Sequence, residues 1–310
     1  MKIVISGGTG FLGSPLAEVY AEEGPDVRVL TRSLPPGDSR HEPGTGMPGI
    51  TRVGWNADGQ LGPWATVIEG ADAVVNLAGE SIGDGRWTPQ RKAALRDSRI
   101  LATRSLAAAI RAAATPPAVF ISSSAIGYYG TSGDEPKIET SPAGSDFLAQ
   151  LCEDWEGEAR KAARPGVRLA IIRTGNVLER SGGALAKMIL PFRLFAGGRM
   201  GSGRQWMSWV HRHDWVEMVR WIAATPDASG PINVTAPHPV RNREFARALG
   251  RALRRPALLP VPAVALKLAL GEFANYVVTG QRVIPARAQA LGYHFRYPEI
   301  DIAFRGIFGE

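Results

Sequence analysis

Cysteine is almost missing from these 310 residues: Cys152 stands alone. A single thiol excludes an internal disulfide and any multi-cysteine metal site. It fits a reducing, cytoplasmic setting. No apolar run reaches about 18 residues, so neither a membrane span nor a membrane partner is expected. The start also lacks the signal-peptide layout, because Lys2 is followed by a short apolar stretch and then by glycines. Dense basic blocks with interleaved aromatics are lacking as well. Net charge is +7 and arginine far outnumbers lysine, but the basic residues are scattered. No nucleic-acid partner is therefore expected. The surplus reads as a solvated surface, and it would also suit a phosphorylated cofactor or an acidic substrate. There are no internal repeats.

What is present is a chain that is 45% hydrophobic. That suffices for one large α/β domain or for a domain with a smaller lobe. "KIVIS" (Lys2–Ser6) is a β-branched run ending at glycines and reads as a buried strand. The next segment carries Leu12, Leu16, Val19 and Tyr20 at helical spacing until Gly24 stops it. "VRVLTR" (Val27–Arg32) is a second strand and completes a βαβ unit. Strands follow at "ITRVGW", "ADAVVNLAG", "AVFISSSA" and "VRLAIIRTG", with helices over about Thr88–Ala114 and Phe147–Ala163. The alternation predicts an α/β fold: a Rossmann-type doubly wound parallel sheet with a second, smaller, mostly helical C-terminal lobe. After Asn176, Gly and Pro become frequent and tryptophans cluster at 206, 209, 215 and 221. "GPINVTAPHPV" reads as one more strand returning to the sheet. The expected division is 1–176 and 214–237 for the sheet domain, and 177–213 and 238–310 for the lobe. Ser33–Gly49, rich in Pro and Gly, reads as a surface loop.

"SGGTGFLG" places Gly7, Gly10 and Gly13 between a strand and a helix, the context in which a glycine triplet cradles a dinucleotide. Gly7 permits the tight turn, Gly10 lets the backbone approach a pyrophosphate, and Gly13 lets the helix pack on the strand. Free amides near Phe11 and Leu12 then face the phosphates. The second strand ends in Arg32 and Ser33, where an acid would hold a ribose 2′-hydroxyl. A guanidinium there suits a 2′-phosphate, which predicts NADP rather than NAD.

These stretches resemble the extended type of the short-chain dehydrogenase/reductase superfamily. "VVNLAGE" is similar to the fourth-strand motif under the cofactor ribose, and "ISSSAIGYYG" to the motif ending the fifth strand. More narrowly, the chain resembles an atypical "epimerase family" branch, NAD-dependent epimerase/dehydratase-like proteins with a distinctive C-terminal extension. The matching stretches include "NLAGESI", "DSRILATRSL", "DFLAQLCEDWE", "GGALAKMILPF", "GSGRQWMSWVHRHD" and "YHFRYP". The resemblance implies cofactor contacts at Leu77, Ala78, Gly79 and Glu80. It also implies a tyrosine and a lysine, four residues apart, for proton transfer. Here those positions fall near Leu148 and at Cys152, which cannot do that work. Ser124 resembles the serine that hydrogen-bonds the reacting oxygen, and Tyr128 or Tyr129 could offer a phenol; Ser122 lies close by. Alternatively these serines cap backbone groups and the tyrosines pack.

Cys152 lies in acidic surroundings and reads as a small buried side chain. His211, His213 and Asp214 lack metal-ligand spacing, so no metal is expected; Asp214 reads as a helix N-cap. Arg204, Gln205 and Trp206 are candidates for substrate contact, with packing as the alternative. "DGRW" (Asp84–Trp87) could cover the nicotinamide, while Arg99 has no assigned role. Two functions stay open. One is an NADP-dependent oxidoreductase or epimerase-like enzyme with a small-molecule substrate; the other is a non-catalytic NADP-binding sensor or scaffold. A homodimer through the helices after strands four and five is expected only by analogy.

Overall fold

The computed structural model describes residues 1–24, 26–41 and 49–309. β1 (Lys2–Ser6) is buried from Ile3 onward, as befits a strand covered on both faces. The glycines follow, then α1 (Gly13–Glu22), which turns Leu16, Ala17 and Tyr20 inward. Next come β2 (Asp26–Thr31), β3 (Ser39–His41), β4 (Ile50–Gly54) and β5 (Ala73–Asn76). α2 (Pro89–Ala112) starts where the Thr88 hydroxyl accepts the Arg91 amide at 3.1 Å, with proline at the first helical position. β6 (Val119–Ala125) and a short β7 (Pro136–Lys137) lead to α3 (Phe147–Arg160). Asp146 caps α3 by accepting the Ala149 amide at 3.0 Å.

β8 (Arg168–Thr174) ends the alternation. Beyond it lie β9 (Asn176–Leu178), α4 (Gly183–Arg193), β10 (Trp206–Met207), β11 (Trp209–His211), α5 (Arg212–Ala224) and β12 (Gly230–Val234). β13 (Val240–Arg241), α6 (Asn242–Leu253), α7 (Ala263–Leu270), α8 (Phe273–Val278), β14 (Arg282–Val283), α9 (Ala286–Ala290) and α10 (Ile300–Phe308) complete the chain.

The main sheet runs β12-β8-β6-β5-β1-β2-β4-β3. All pairs are parallel except β3 with β4. The fold is thus a Rossmann-type doubly wound sheet, and the returning strand expected near residue 230 is β12. The Ser33–Gly49 segment is not entirely loop, because β3 adds an antiparallel edge strand inside it; residues 42–48 of that loop lie outside the described residues.

Alternating residues fill two layers. Ile3, Ile5, Val29 and Ile172 face α1 and α5, with Leu16, Trp215 and Ile222 buried among them. Val4, Leu30, Val74 and Phe120 face the other way, against Leu106 and Ile110 of α2 and Ala159 of α3. A third core joins α4, α6 and α10 through Leu185, Ile189, Phe245, Leu249 and Phe304. The parallel pair β9–β11 connects them: Val177 and Val210 enter the sheet core, whereas Leu178 and Trp209 enter the third.

Candidate functional site

Register sets the geometry at the sheet's carboxyl edge. Ser6 lies opposite Leu30 on one side and Asn76 on the other, so the glycine turn, Arg32 and Leu77 all leave the sheet together. Gly7 sits at φ +70°, and a Cβ there would meet the Leu77 carbonyl oxygen at 2.6 Å. A Cβ at Gly13 would come within 2.2 Å of the Gly7 oxygen, so α1 packs directly on the turn. At Gly10 a Cβ would meet only the Gly7 oxygen, at 3.2 Å, and the outer side stays open.

The amides of Phe11 and Leu12 reach no acceptor among the described residues. α1 carries no acid in its first turn. Unpaired amides on the positive end of a helix form a site for an anion. Arg32 is exposed and makes no hydrogen bond or ion pair among the described residues. The Ser33 amide donates to the Thr31 hydroxyl at 3.2 Å. The Phe11 ring runs the other way and lies beneath the turn before α4: a Cβ on Gly182 would meet it at 2.5 Å.

The loop after β5 is held from below. Buried Asn76 accepts the Ser6 hydroxyl at 2.7 Å and donates to Thr103 at 2.8 Å. The Ala78 amide in turn donates to Asn76 Oδ1 at 3.3 Å. Arg99, unassigned from sequence, now has a role. It donates to the carbonyls of Leu95 and Glu80, each at 2.8 Å, and packs so close to Gly79 that a Cβ there would meet it at 3.2 Å. Burial lowers its pKa from the ordinary arginine value. The Glu80 carboxylate pairs with Arg91 rather than pointing free.

At the end of β6 the structure draws together groups the sequence kept apart. The Ser124 hydroxyl, 3% exposed, donates to Glu156 Oε1 at 2.8 Å. Glu156, fully buried on α3, also takes Arg173 Nε at 2.8 Å and Nη2 at 3.0 Å. Arg173 Nη1 donates to the Tyr129 hydroxyl at 3.0 Å, and that hydroxyl donates to Asn233 at 2.7 Å. The Tyr128 ring lies flat on the same guanidinium, its centroid 3.4 Å from Cζ. Burial alone would disfavour the Arg173 charge, but Glu156 and Tyr129 outweigh it and raise the pKa above the usual arginine value. Burial pushes the Tyr129 phenol up to about 12.

The two dyad positions lie under this turn. A Cβ on Gly127 would meet Leu148 at 3.2 Å and Cys152 Sγ at 3.9 Å. Burial, then the nearby Glu156 charge, pushes the Cys152 thiol up to about 11. The buried Ser122 hydroxyl has no partner among the described residues.

The segment around β10 and β11 is largely occupied with packing. Gln205 Nε2 donates to the Met200 carbonyl at 3.0 Å and the Val277 carbonyl at 3.3 Å. Trp206 donates to Asp134 at 3.0 Å beneath the Arg241 guanidinium, while the Arg204 amide donates to Ser202. Asp214 is not the N-cap the sequence suggested. His211 caps α5, its Nδ1 accepting the His213 amide at 3.0 Å. Asp214 instead accepts the amides of Arg296 and Tyr297 at 3.0 and 2.9 Å and anchors the C-terminal segment. Burial raises its pKa despite those two amides. Burial, with His213 and two arginines, lowers His211 to about 4. Among the described residues no three His, Cys, Asp or Glu side chains are grouped to hold a metal, and no helix is long and apolar enough to cross a membrane.

"DGRW" forms a strap against α4 and α7. Lys187 of α4 donates to Gly83 O and Asp84, and Arg86 bonds the Leu268 carbonyl. Trp87 packs among Phe147, Phe273 and Tyr276. Sequence reasoning missed the Glu156–Arg173 pair and Asn233. The available signal was an arginine inside the otherwise apolar strand "RLAIIRT", since a charge at a buried strand position demands a partner.

Residues 3–235 match the NAD dependent epimerase/dehydratase family, and residues 261–307 match a domain of unknown function, DUF1731. An Arabidopsis thaliana protein, "Epimerase family protein SDR39U1 homolog, chloroplastic", is 43% identical over 309 residues, which is 99% of this chain and 86% of that protein. Human epimerase family protein SDR39U1 (isoform 2), solved with NADPH, superposes with a TM-score of 0.87 at 33% identity and covers 99% of both chains. A nucleoside-diphosphate sugar epimerase from Corynebacterium glutamicum superposes with a TM-score of 0.77 at 32% identity, covering 100% of this chain and 58% of that one.

Proposed function

The chain belongs to the NAD dependent epimerase/dehydratase family, and on that footing we propose that it is an NADP-dependent oxidoreductase or epimerase-like enzyme acting on a small polar substrate. The observation that carries the reading is the Gly7–Gly13 turn, with open space outside Gly10 and unpaired amides at Phe11 and Leu12. These amides receive the paired phosphates. Arg32, exposed at the end of the neighbouring strand with Ser33 beside it, takes the 2′-phosphate. Leu77, Ala78, Gly79 and the backbone of Glu80 form the floor under the ribose, kept rigid by Asn76 and Arg99. The human relative solved with NADPH supports the same choice of nucleotide.

When bound, the nicotinamide supplies or accepts a hydride. The protein's part is to orient the reactants and to hold a proton donor. Ser124 and Tyr128 are the polar side chains assigned to that edge. Ser124 is oriented by Glu156, and Tyr128 is fixed on Arg173. Arg204, Gln205 and Trp206 wall the substrate side. Residues 1–176 and 214–237 are assigned to the nucleotide half, and 177–213 and 238–310 to the substrate half.

One observation favours a second reading, an NADP-binding sensor without turnover. Leu148 and the inert thiol Cys152 fill the positions of the proton-transfer dyad. The test is NADPH oxidation across a panel of carbonyl compounds and nucleotide sugars, with nucleotide titration alongside. Turnover lost in Ser124→Ala supports the enzyme; binding without turnover across the panel supports the sensor. NADH binding as tightly as NADPH would refute the assignment of Arg32.

A further inference from the structure

The C-terminal lobe carries a face that the nucleotide site does not use. Between Glu179 and Asp214 the sequence has six Lys or Arg and no acid, although Lys187 and Arg212 are paired with Asp84 and Glu179 away from this face; between Glu244 and Glu272 it has five and no acid. The fold brings these two segments side by side. The Leu259 amide donates to the Gly197 carbonyl at 3.2 Å, the Val261 amide donates to the Arg199 carbonyl at 2.8 Å, and Arg255 lies 4.7 Å from the Phe195 ring centroid.

Apolar side chains project outward from this joint. Leu190, Leu194 and Phe195 are exposed at the end of α4. Leu258, 81% exposed, and Leu259 follow the end of α6. α7 reads "AVALKLAL" and buries none of its residues; Val264 and Leu268, one turn apart, share an exposed side. Arg247, Arg251, Arg254 and Arg255 wall a cavity of about 520 Å³ that opens beside Leu258. Exposed leucines in this number mark an interaction surface.

We propose that this face docks on an anionic lipid bilayer, with the leucines at the acyl boundary and the arginine-walled cavity against the phosphate headgroups. Charge decides between occupants. A second copy related by a two-fold axis would set this arginine-rich surface, on which Asp301 pairs with Arg251 at 2.7 Å while Arg247 stands exposed, against its own image. An anionic bilayer neutralises it. The absence of a spanning helix does not bear on the matter, because a docked face needs no long apolar run.

The test is flotation of the full chain with vesicles of phosphatidylglycerol and phosphatidylcholine in equal parts, against phosphatidylcholine alone. The protein is expected to float with the mixed vesicles and to be released by high salt. Arg247→Gln should weaken partitioning about fivefold, and Leu258→Ser about tenfold. Because α7 buries nothing, Leu268→Ser removes no core contact and serves where the others fail to fold; it too should weaken flotation. NADPH titration of each variant should be unchanged, which separates this surface from the nucleotide site. No flotation, equal flotation with both vesicles, or a dimer that Leu258→Ser converts to monomer would each overturn the proposal.

Discussion

Replacing Arg173 by Met removes one partner of a buried ion pair and leaves Glu156 without its main counter-charge. Breaking such a pair costs roughly 3–5 kcal/mol. The low end applies here. The half-exposed Arg160 stays on Glu156 Oε2 at 2.9 Å, and Ser124 still donates at 2.8 Å. With an unfolding entropy of about 2.1 cal/mol/K per residue, 310 residues give roughly 0.65 kcal/mol/K. A loss of about 3 kcal/mol then lowers the melting temperature by about 5 °C. Circular dichroism or calorimetry at neutral pH reads this directly. The double variant Arg173→Met/Glu156→Met removes both charges and should recover most of the loss, because the penalty lies in the orphaned charge. If Arg173→Met alone moved the midpoint by less than about 1 °C, the carboxylate would be solvated and the buried network would not exist as described.

Other substitutions probe the remaining links. Gly13→Ala puts a methyl 2.2 Å from the Gly7 oxygen; it should cost about 1–3 kcal/mol of stability and weaken nucleotide binding in a fluorescence titration. Arg32→Glu should lower NADPH affinity by about 10- to 100-fold, the loss of a charge-assisted contact, while leaving NADH nearly unchanged by calorimetry. His211 is lowered from 6.5 to about 4, so the unfolded chain binds a proton that the folded one refuses as pH falls through that window. Stability should therefore drop between about pH 6.5 and 4, by at most about 3.4 kcal/mol from this group. Asp214, raised by burial, acts in the opposite sense, so the comparison to make is the melting temperature against pH with and without His211→Asn, an alternative cap. Cys152, buried with its thiol near 11, should ignore a thiol reagent in the native protein and react on adding denaturant.

Local chemistry was legible. β1, the glycine turn and α1 follow from a branched run, glycines at fixed spacing and a helical period within one stretch of about 20 residues. The helix expected over about Thr88–Ala114 is α2, which spans Pro89–Ala112. Non-local choices were not. "VHRHD" holds several residues able to cap a helix, and His211 takes the task because β11 ends there in its pairing with β9. Arg99 acquires a role only once α2 passes the 79–80 loop. Arg173 and Glu156 stand 17 residues apart on different elements, and only packing of α3 on β8 makes them a pair. β3 is three residues inside a Pro/Gly-rich stretch, too short for any period to register. Gln205 and Trp206 read in sequence as substrate contact or packing, and their hydrogen bonds to the Met200 carbonyl and to Asp134 depend on where the fold places those partners.

Phe11 belongs to two machines at once. Its amide is among those left open on the glycine turn, while its ring is wedged under Gly182, where a single added carbon would already overlap it at 2.5 Å. A shift of the glycine turn on taking up phosphates is therefore expected to press the Phe11 ring on the start of α4, and Phe11→Ala should uncouple the two.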